Sequence, residues 1–571
     1  MSSPALMDSA LAPRLDPGAG PARRLDPGAG PTRRRPRALL AMALVAALTL
    51  TVGARTAHAS ATQESTFMDD NHLIYNSSAG VASTLDTLKS LGVDRVKVSV
   101  FWVSIAPSAS QTKKPDFDAA DPAAYDPAAW APYDRLVRMA SERGLGVYFS
   151  VTSPAPFWAT QVPPEAKIQR DYYPSPDEYG KFMQALGKRY SGTYVPAHPS
   201  SPGDTGALPR VDYWSFWNEP NQAGWLTPQW IPDPHNARRL IEASPRIYRS
   251  LVDAGVAALA ATGHAQDTIL VGETAPKGLN VQGLTRSIKP LHFIRLMYCL
   301  DDHYRPLTGQ TAADQNCPTT AAASRQFPSE HPGLFNMTGW AHHPYEFTFS
   351  PTTVPTDPNY ATIANLPTLS ATLNTILSVY GKSRPGGPPL YLTEFGYLTK
   401  PPSPLGVSLS QQSAYLDQSE FITYNNPNVR TLTQFLLVDD KPKPGVSNPV
   451  EAYGGTFQTG LEFINGKHKP AYTAYRLPLF VPITKIKRNA AVRVWGLIRP
   501  APHGAVQRVA IQFRAAHSKR RFKTLATATT QKARAYLDTR VRVRGSGTLR
   551  LAWTDPTHHA IYSRTVGVKA H

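Results

Sequence analysis

Residues Val211 to Asn221 read Val-Asp-Tyr-Trp-Ser-Phe-Trp-Asn-Glu-Pro-Asn. The strand-like Val211 to Phe216 runs into Trp217-Asn218-Glu219-Pro220-Asn221, where the proline stops extended pairing. This predicts a carboxylate, Glu219, at the C-terminal end of a buried strand, with the Asn218 amide beside it. A second apolar strand ends the same way, in Leu392-Thr393-Glu394-Phe395-Gly396-Tyr397.

Outward from these two strands, short β-branched runs alternate with amphipathic stretches, the pattern of a parallel sheet with crossover helices. Eight strands are predicted: Thr66 to Met68, Arg95 to Trp102, Gly146 to Thr152, Tyr213 to Asn218, Thr268 to Glu273, Thr338 to His343, Leu390 to Glu394 and Thr431 to Leu437. Helices are predicted between them, among them Ala79 to Leu91, Tyr133 to Arg143, Pro176 to Tyr190 and Ala243 to Ala261. Eight such units over residues 60–480 predict an α/β fold, a closed (β/α)8 TIM barrel. Glu219 then ends the fourth strand and Glu394 the seventh, so both face one mouth. Insertions rich in Pro, Asp and Ser follow several strands, notably Ala106 to Asp126, Pro276 to Pro290 and Ser350 to Asn359, where a barrel places its binding loops.

At 571 residues the chain exceeds one ordinary core, and its texture changes after Phe480. Residues 481–571 alternate as short strands (Ala491 to Ile498, Val506 to Phe513, Phe522 to Ala528, Tyr536 to Val543, Thr548 to Trp553, Ile561 to Val568), which predicts a small all-β sandwich. The net charge of +19 belongs to this tail, which holds 19 Lys+Arg against 2 Asp+Glu, or +17. Residues 60–480 hold 33 against 36, or −3. Arg540, Arg542 and Arg544 alternate along one strand face, which suggests contact with an anionic cell-envelope polymer or plain surface charge. Without a recognisable binding motif, nucleic acid is not expected as a partner.

Residues 1–59 read as a disordered extension and signal peptide. Arg14 to Pro21 recurs almost unchanged as Arg24 to Pro31, then arginines precede the apolar run Ala38 to Val52 and the small residues Ala57-His58-Ala59. Cleavage near Ala59 and a secreted, extracellular chain are expected, with no membrane span in the mature protein. In that compartment the only two cysteines, Cys299 and Cys317, read as one disulfide pinning a loop.

Two carboxylates across one cleft suit glycosidic bond cleavage, in which one protonates the leaving oxygen and the other attacks the anomeric carbon. The Trp-Asn-Glu-Pro-Asn and Thr-Glu-Phe-Gly segments, ending strands four and seven, resemble glycoside hydrolase clan A, especially its cellulase-like and xylosidase-like families. The resemblance covers about residues 65–480 and implies a retaining O-glycosyl hydrolase, with Glu219 as acid/base and Glu394 as nucleophile about 5 Å apart. It also implies that Asn218 contacts the substrate's 2-hydroxyl, and that His343 and Tyr345, from Trp340-Ala341-His342-His343-Pro344-Tyr345, stand beside the nucleophile. Lys97, grouped with the substrate-binding candidates, departs from the clan, which often carries an arginine at that position on strand two; lysine offers charge without a bidentate fork.

Trp102 and Trp225 are further candidate substrate contacts, as flat platforms for sugar rings, and Trp217 and Trp230 flank the same motif. Glu273 closes a strand without a flanking motif and reads as mouth structure or a substrate contact. Asp69-Asp70 and Asp439-Asp440 end strands one and eight, as sugar contacts or loop caps. No cofactor is implied, and His342-His343 lacks metal-ligand spacing. The expected partner is a polysaccharide or glycoconjugate. A transglycosylase would use the same residues, and an inactive secreted carbohydrate-binding protein would keep the fold without the chemistry.

Overall fold

The computed structural model describes residues 60–198 and 205–571. The predicted extension and signal peptide, residues 1–59, lie outside the described residues.

Eight parallel strands close on one another in chain order. They are β1 (Glu64–Met68), β2 (Arg95–Phe101), β3 (Gly146–Thr152), β4 (Tyr213–Phe216), β5 (Thr268–Thr274), β6 (Gly339–His342), β7 (Leu390–Phe395) and β8 (Val429–Phe435), with β8 paired back to β1. Each is followed by a helix: α1 (Ser78–Ser90), α2 (Pro127–Glu142), α3 (Pro176–Arg189), α4 (Ser244–Ala261), α5 (Pro290–Met297), α6 (Leu366–Val379), α7 (Leu409–Tyr424) and α8 (Pro470–Arg476). This is the (β/α)8 barrel expected from the alternation. Strands β2 and β5 are buried along almost their whole length, because helices cover the outside of the sheet and side chains fill its inside.

Boundaries differ where capping chemistry outweighs periodicity. Helix α2 starts at Pro127 rather than Tyr133, because the Asp126 side chain accepts from Ala128 N and Pro127 fits a first helical position. Strand β4 stops at Phe216 instead of reaching Asn218, since Trp217 takes a left-handed backbone with φ 61°.

Residues after 478 form two sheets on a shared apolar core. The first sheet orders β9 (Leu479–Phe480), β11 (Ala491–Leu497) and β14 (Tyr536–Arg542). The second contains β10 (Lys485–Ile486), β12 (Arg508–Ala515), β13 (Lys523–Thr529), β15 (Gly547–Thr554), β16 (Ala560–Tyr562) and β17 (Val566–Ala570). Val494, Leu537 and Val541 of one sheet and Ile511, Leu551 and Val568 of the other meet between them. The single strand expected over Ile561 to Val568 is two, β16 and β17. Ser563 turns inward to accept from Leu551 N at 2.8 Å, and Arg564 leaves the sheet to meet Asp417.

This sandwich docks below the barrel. Trp495 and Tyr536 pack against Phe421 and Tyr424 of α7. Buried Arg499 reaches Glu420 and Ser65, and Arg534 meets Asp94 at 2.5 Å. Ser65 and Asp94 sit at the N-terminal ends of β1 and β2, so the sandwich occupies the pole opposite the strand C-termini.

The Cys299–Cys317 disulfide is formed and pins the loop after α5. Arg249 of α4 threads that loop, donating to Met297 O at 3.1 Å and to Gln315 O and Asn316 O at 2.8 Å each.

Candidate active site

The Trp217 to Asn221 segment is placed by backbone rather than by strand extension. Trp217 N donates to Val151 O at 2.8 Å, Asn218 N to Thr152 Oγ1 at 2.9 Å, and Glu219 N to Glu273 O at 3.0 Å. Glu219 itself has φ 38°, an uncommon backbone for a side chain of its size, held by this loop across β3, β4 and β5.

Glu394 leaves β7 into the same mouth. Its Oε1 lies 3.2 Å from Lys97 Nζ and 3.6 Å from His343 Nε2, and its Oε2 accepts from Tyr345 OH at 3.2 Å. His343 also bonds Glu219 Oε1 through Nδ1 at 3.0 Å, so one imidazole links the two carboxylates. Both glutamates keep a small solvent opening, with 8% of each residue's surface exposed.

Beneath them lies a third carboxylate. Glu273 is fully buried and accepts from Lys97 Nζ (2.8 Å), Ser215 Oγ (2.9 Å), Ser150 Oγ (3.2 Å), His343 Nε2 (3.3 Å) and the Tyr148 hydroxyl. With its amide oriented to suit its neighbours, Asn218 donates to Glu273 Oε2 at 3.3 Å and accepts from Trp225 Nε1 at 3.3 Å. Every approach to Glu273 is taken, so it is a structural anion rather than a substrate contact. It is aimed inward by a bulge at the end of β5, where the register to β6 shifts between Val271 and Thr274. Gly272 at φ 121° and Glu273 at φ 47° make that bulge, and a Cβ on Gly272 would meet Ala341 O at 2.4 Å.

The charges sort into distinct states. Burial alone would raise the Glu273 carboxyl, but Lys97 and His343 together hold it well below the usual carboxylate range. Burial would lower Lys97 and His343; the carboxylates more than offset it, raising Lys97 and lifting His343 to about 9. Glu219 is pushed up, first by burial and further by Glu394, against the opposing pull of His343. At neutral pH the cluster therefore holds two cations and an ionised Glu273, while Glu219 keeps its proton to a higher pH than an ordinary carboxylic acid. Tyr345 stays a phenol, raised by burial and by Glu394, and donates to the latter.

The sequence-predicted residues divide under this geometry. Glu219, Glu394, Asn218, His343, Tyr345 and Lys97 converge, and Trp225 stands half-buried beside Asn218. Lys97 is fully buried between Glu273 and Glu394, which corrects its expected role as a substrate contact: its ammonium is spent on two carboxylates. Trp102 is also corrected. It is fully buried, stacked on Phe182 (12° between planes) and edge-on to Trp158 and Tyr179, so it offers no face to a sugar. Trp217 is fully buried, donating to Trp225 O, and Trp230 is 8% exposed, donating to Arg286 O. Asp69 and Asp439 are loop fasteners: Asp69 accepts from Leu437 N, and Asp439 from Lys469 and Gly460 N. Asp70, bonded by Ser99 N, is raised to about 7 by burial.

Sequence reasoning named Glu273 as mouth structure or a substrate contact without foreseeing how many donors converge on it, and it missed an aromatic wall. Phe347 stacks on Tyr345 at 4.6 Å, backed by Phe457 and Phe435. Phe347 is two residues beyond Tyr345 in the same loop, which was the available signal. Glu273, His343 and Glu394 lie close enough together to chelate an ion, but Lys97 Nζ already sits against two of their carboxylates as the cation.

The fold and site thus define an eight-stranded α/β barrel with paired carboxylates at its mouth over a buried charge cluster. No protein-family model and no curated protein matches the chain. Among solved structures it is similar to a family 39 glycoside hydrolase from the gut symbiont Bacteroides cellulosilyticus WH2, with 12% identity over 86% of this chain and 82% of that one and a TM-score of 0.42. It is also similar to the family 1 β-glucosidase from Thermotoga maritima (13% identity, 69% of this chain, 84% of that one, TM-score 0.40). A third is the endo-β-1,4-mannanase from Thermotoga petrophila (11% identity, 89% and 98%, TM-score 0.36).

Proposed function

We propose that this protein is a retaining glycosidase of the clan A type acting on a polysaccharide or glycoconjugate. One observation carries the reading: two carboxylates share one mouth through His343, with the Glu219 carboxyl raised by burial and Glu394 facing Lys97 and the Tyr345 hydroxyl. That division of labour is what double displacement needs.

In the first step Glu394 Oε attacks the anomeric carbon, the bond to the leaving oxygen breaks, and Glu219 delivers its proton to that oxygen. Proton loss leaves Glu219 anionic against His343, whose imidazolium stabilises it through the 3.0 Å bond. In the second step Glu219 takes a proton from water, the water oxygen bonds the anomeric carbon, and Glu394 leaves with its electron pair. Sugar is released with retained configuration. Asn218 and Trp225 line the approach, and Phe347 extends the apolar wall on the Tyr345 side. A wall of that kind suits a pyranose face.

We also place the protein outside the cytoplasm. The leader-like composition of residues 1–59 supports this, as does the Cys299–Cys317 bond, a linkage typical of oxidising compartments.

The stereochemical course, followed by proton NMR of the first-formed sugar across a panel of aryl glycosides, tests the reading. Retention is expected. Inversion, or no turnover of any member by a folded chain, would overturn it.

A further inference from the structure

The sandwich carries an ordered row of rings and arginines on the face turned away from the barrel. In the second sheet Gln512 pairs with Arg550, Arg514 with Thr548, and Ala552 with Tyr562, so these side chains share one face. Arg550 lies 3.9 Å from the Tyr562 ring centroid and 4.2 Å from that of Phe522, and Arg514 stands 4.6 Å from that of Phe522. The sequence Tyr562, Arg550, Phe522, Arg514 is thus one continuous stack. Gln512 steadies it by accepting from Arg550 Nε at 2.8 Å.

Three features mark this stack as a binding surface. Its guanidinium groups are held over rings, 3.9 to 4.6 Å from their centroids, so their N–H groups can meet oxyanions at little further ordering cost. No carboxylate among the described residues forms an ion pair with Arg514, Arg550 or the adjoining Lys519-Arg520-Arg521 and Lys523, whereas the cations facing the barrel, Arg499, Arg534 and Arg564, all do. The face is also uncovered, because the barrel docks on the other sheet through Trp495 and Tyr536. Arg540, Arg542 and Arg544 are exposed too, but no ring among the described residues stacks on them.

We propose that the Tyr562–Arg550–Phe522–Arg514 stack binds an acidic polysaccharide, its arginine N–H groups meeting carboxylates and its exposed Tyr562 ring meeting a sugar face. The site lies on the opposite side of the sandwich from the barrel, so it holds a polymer without occupying the mouth. Cationic groups alternating with aromatic rings match a chain whose repeating unit is a sugar ring, apolar on its C–H face, that bears an acid group. This assignment is independent of turnover at Glu219 and Glu394.

Affinity electrophoresis and calorimetry of the full chain with polygalacturonate test it, with neutral dextran and single-stranded DNA as comparisons. Arg514→Gln with Arg550→Gln, and separately Phe522→Ala, are expected to weaken polygalacturonate binding at least tenfold while the thermal midpoint is retained. Arg540→Gln with Arg542→Gln removes the same charge and is expected to change binding less than twofold. Equal losses from both arginine pairs would reduce the effect to diffuse charge and overturn the proposal. Tighter binding of DNA than of polygalacturonate through the same stack would overturn it in favour of nucleic acid, and binding of dextran alone would remove the acidic requirement.

Discussion

At the scale of single residues, the account turns on which carboxylate keeps its proton. Glu219 is raised above the ordinary 4.5 mainly by burial, and the first step needs it protonated. Activity should therefore fall on the alkaline side through a limb lying above 4.5, and Glu219→Gln should abolish that limb. On substrates with poor leaving groups Glu219→Gln should also lose ~10²–10⁴-fold in kcat/KM, and much less on activated aryl glycosides. His343 has a stability signature of its own. Raised from 6.5 to about 9, it contributes stability that is complete below pH 6.5 and is lost as pH climbs through about 9. Denaturant midpoints of wild type should drop across that window, and those of His343→Gln should not. Glu219 and Glu394 were legible because each carries a flanking motif. Trp102 was misread because sequence cannot separate a tryptophan packed on Phe182 from one facing a sugar.

At the scale of elements, the strands were readable because their buried faces demand β-branched runs, and all eight lie where those runs predicted. The end of β5 was not readable. Glu273 becomes a hub only through a bulge, and its partners Tyr148, Ser150 and Ser215 come from two other strands. No local pattern announces that convergence. Two variants measure it. Gly272→Ala forces a Cβ toward Ala341 O at a φ suited to glycine, and should destabilise the barrel by ~1–3 kcal/mol in denaturant unfolding. Lys97→Met leaves Glu273 and Glu394 without their shared ammonium, and should cost ~3–5 kcal/mol. A smaller Lys97→Met loss would mean that His343 alone suffices for both carboxylates.

At the scale of the whole molecule, charge and chemistry separate. The −3 barrel carries the reactive mouth, while the +17 sandwich is fixed to the opposite pole by buried Arg499 against Glu420. Composition revealed that division before any fold was known, but not which sheet would face outward. That depended on the aromatic patch of Trp495 and Tyr536 finding α7. Arg499→Ala strands Glu420 beneath the sandwich and should lower stability by ~3–5 kcal/mol, read as an earlier or split thermal transition. Removing the disulfide by Cys299→Ser with Cys317→Ser releases a loop spanning 18 residues and should cost about 3 kcal/mol, read by chemical denaturation.

The central claim is that Glu394 bonds covalently to sugar. Incubating the chain with a panel of mechanism-based cyclophellitol-type and 2-fluoroglycoside probes, followed by peptide mapping, tests it most directly. The account predicts one equivalent of label on the peptide bearing Glu394, and none after Glu394→Gln. Labelling at Glu273 or Glu219 instead, or a folded protein that binds these sugars and hydrolyses aryl glycosides without ever forming an adduct, would contradict it.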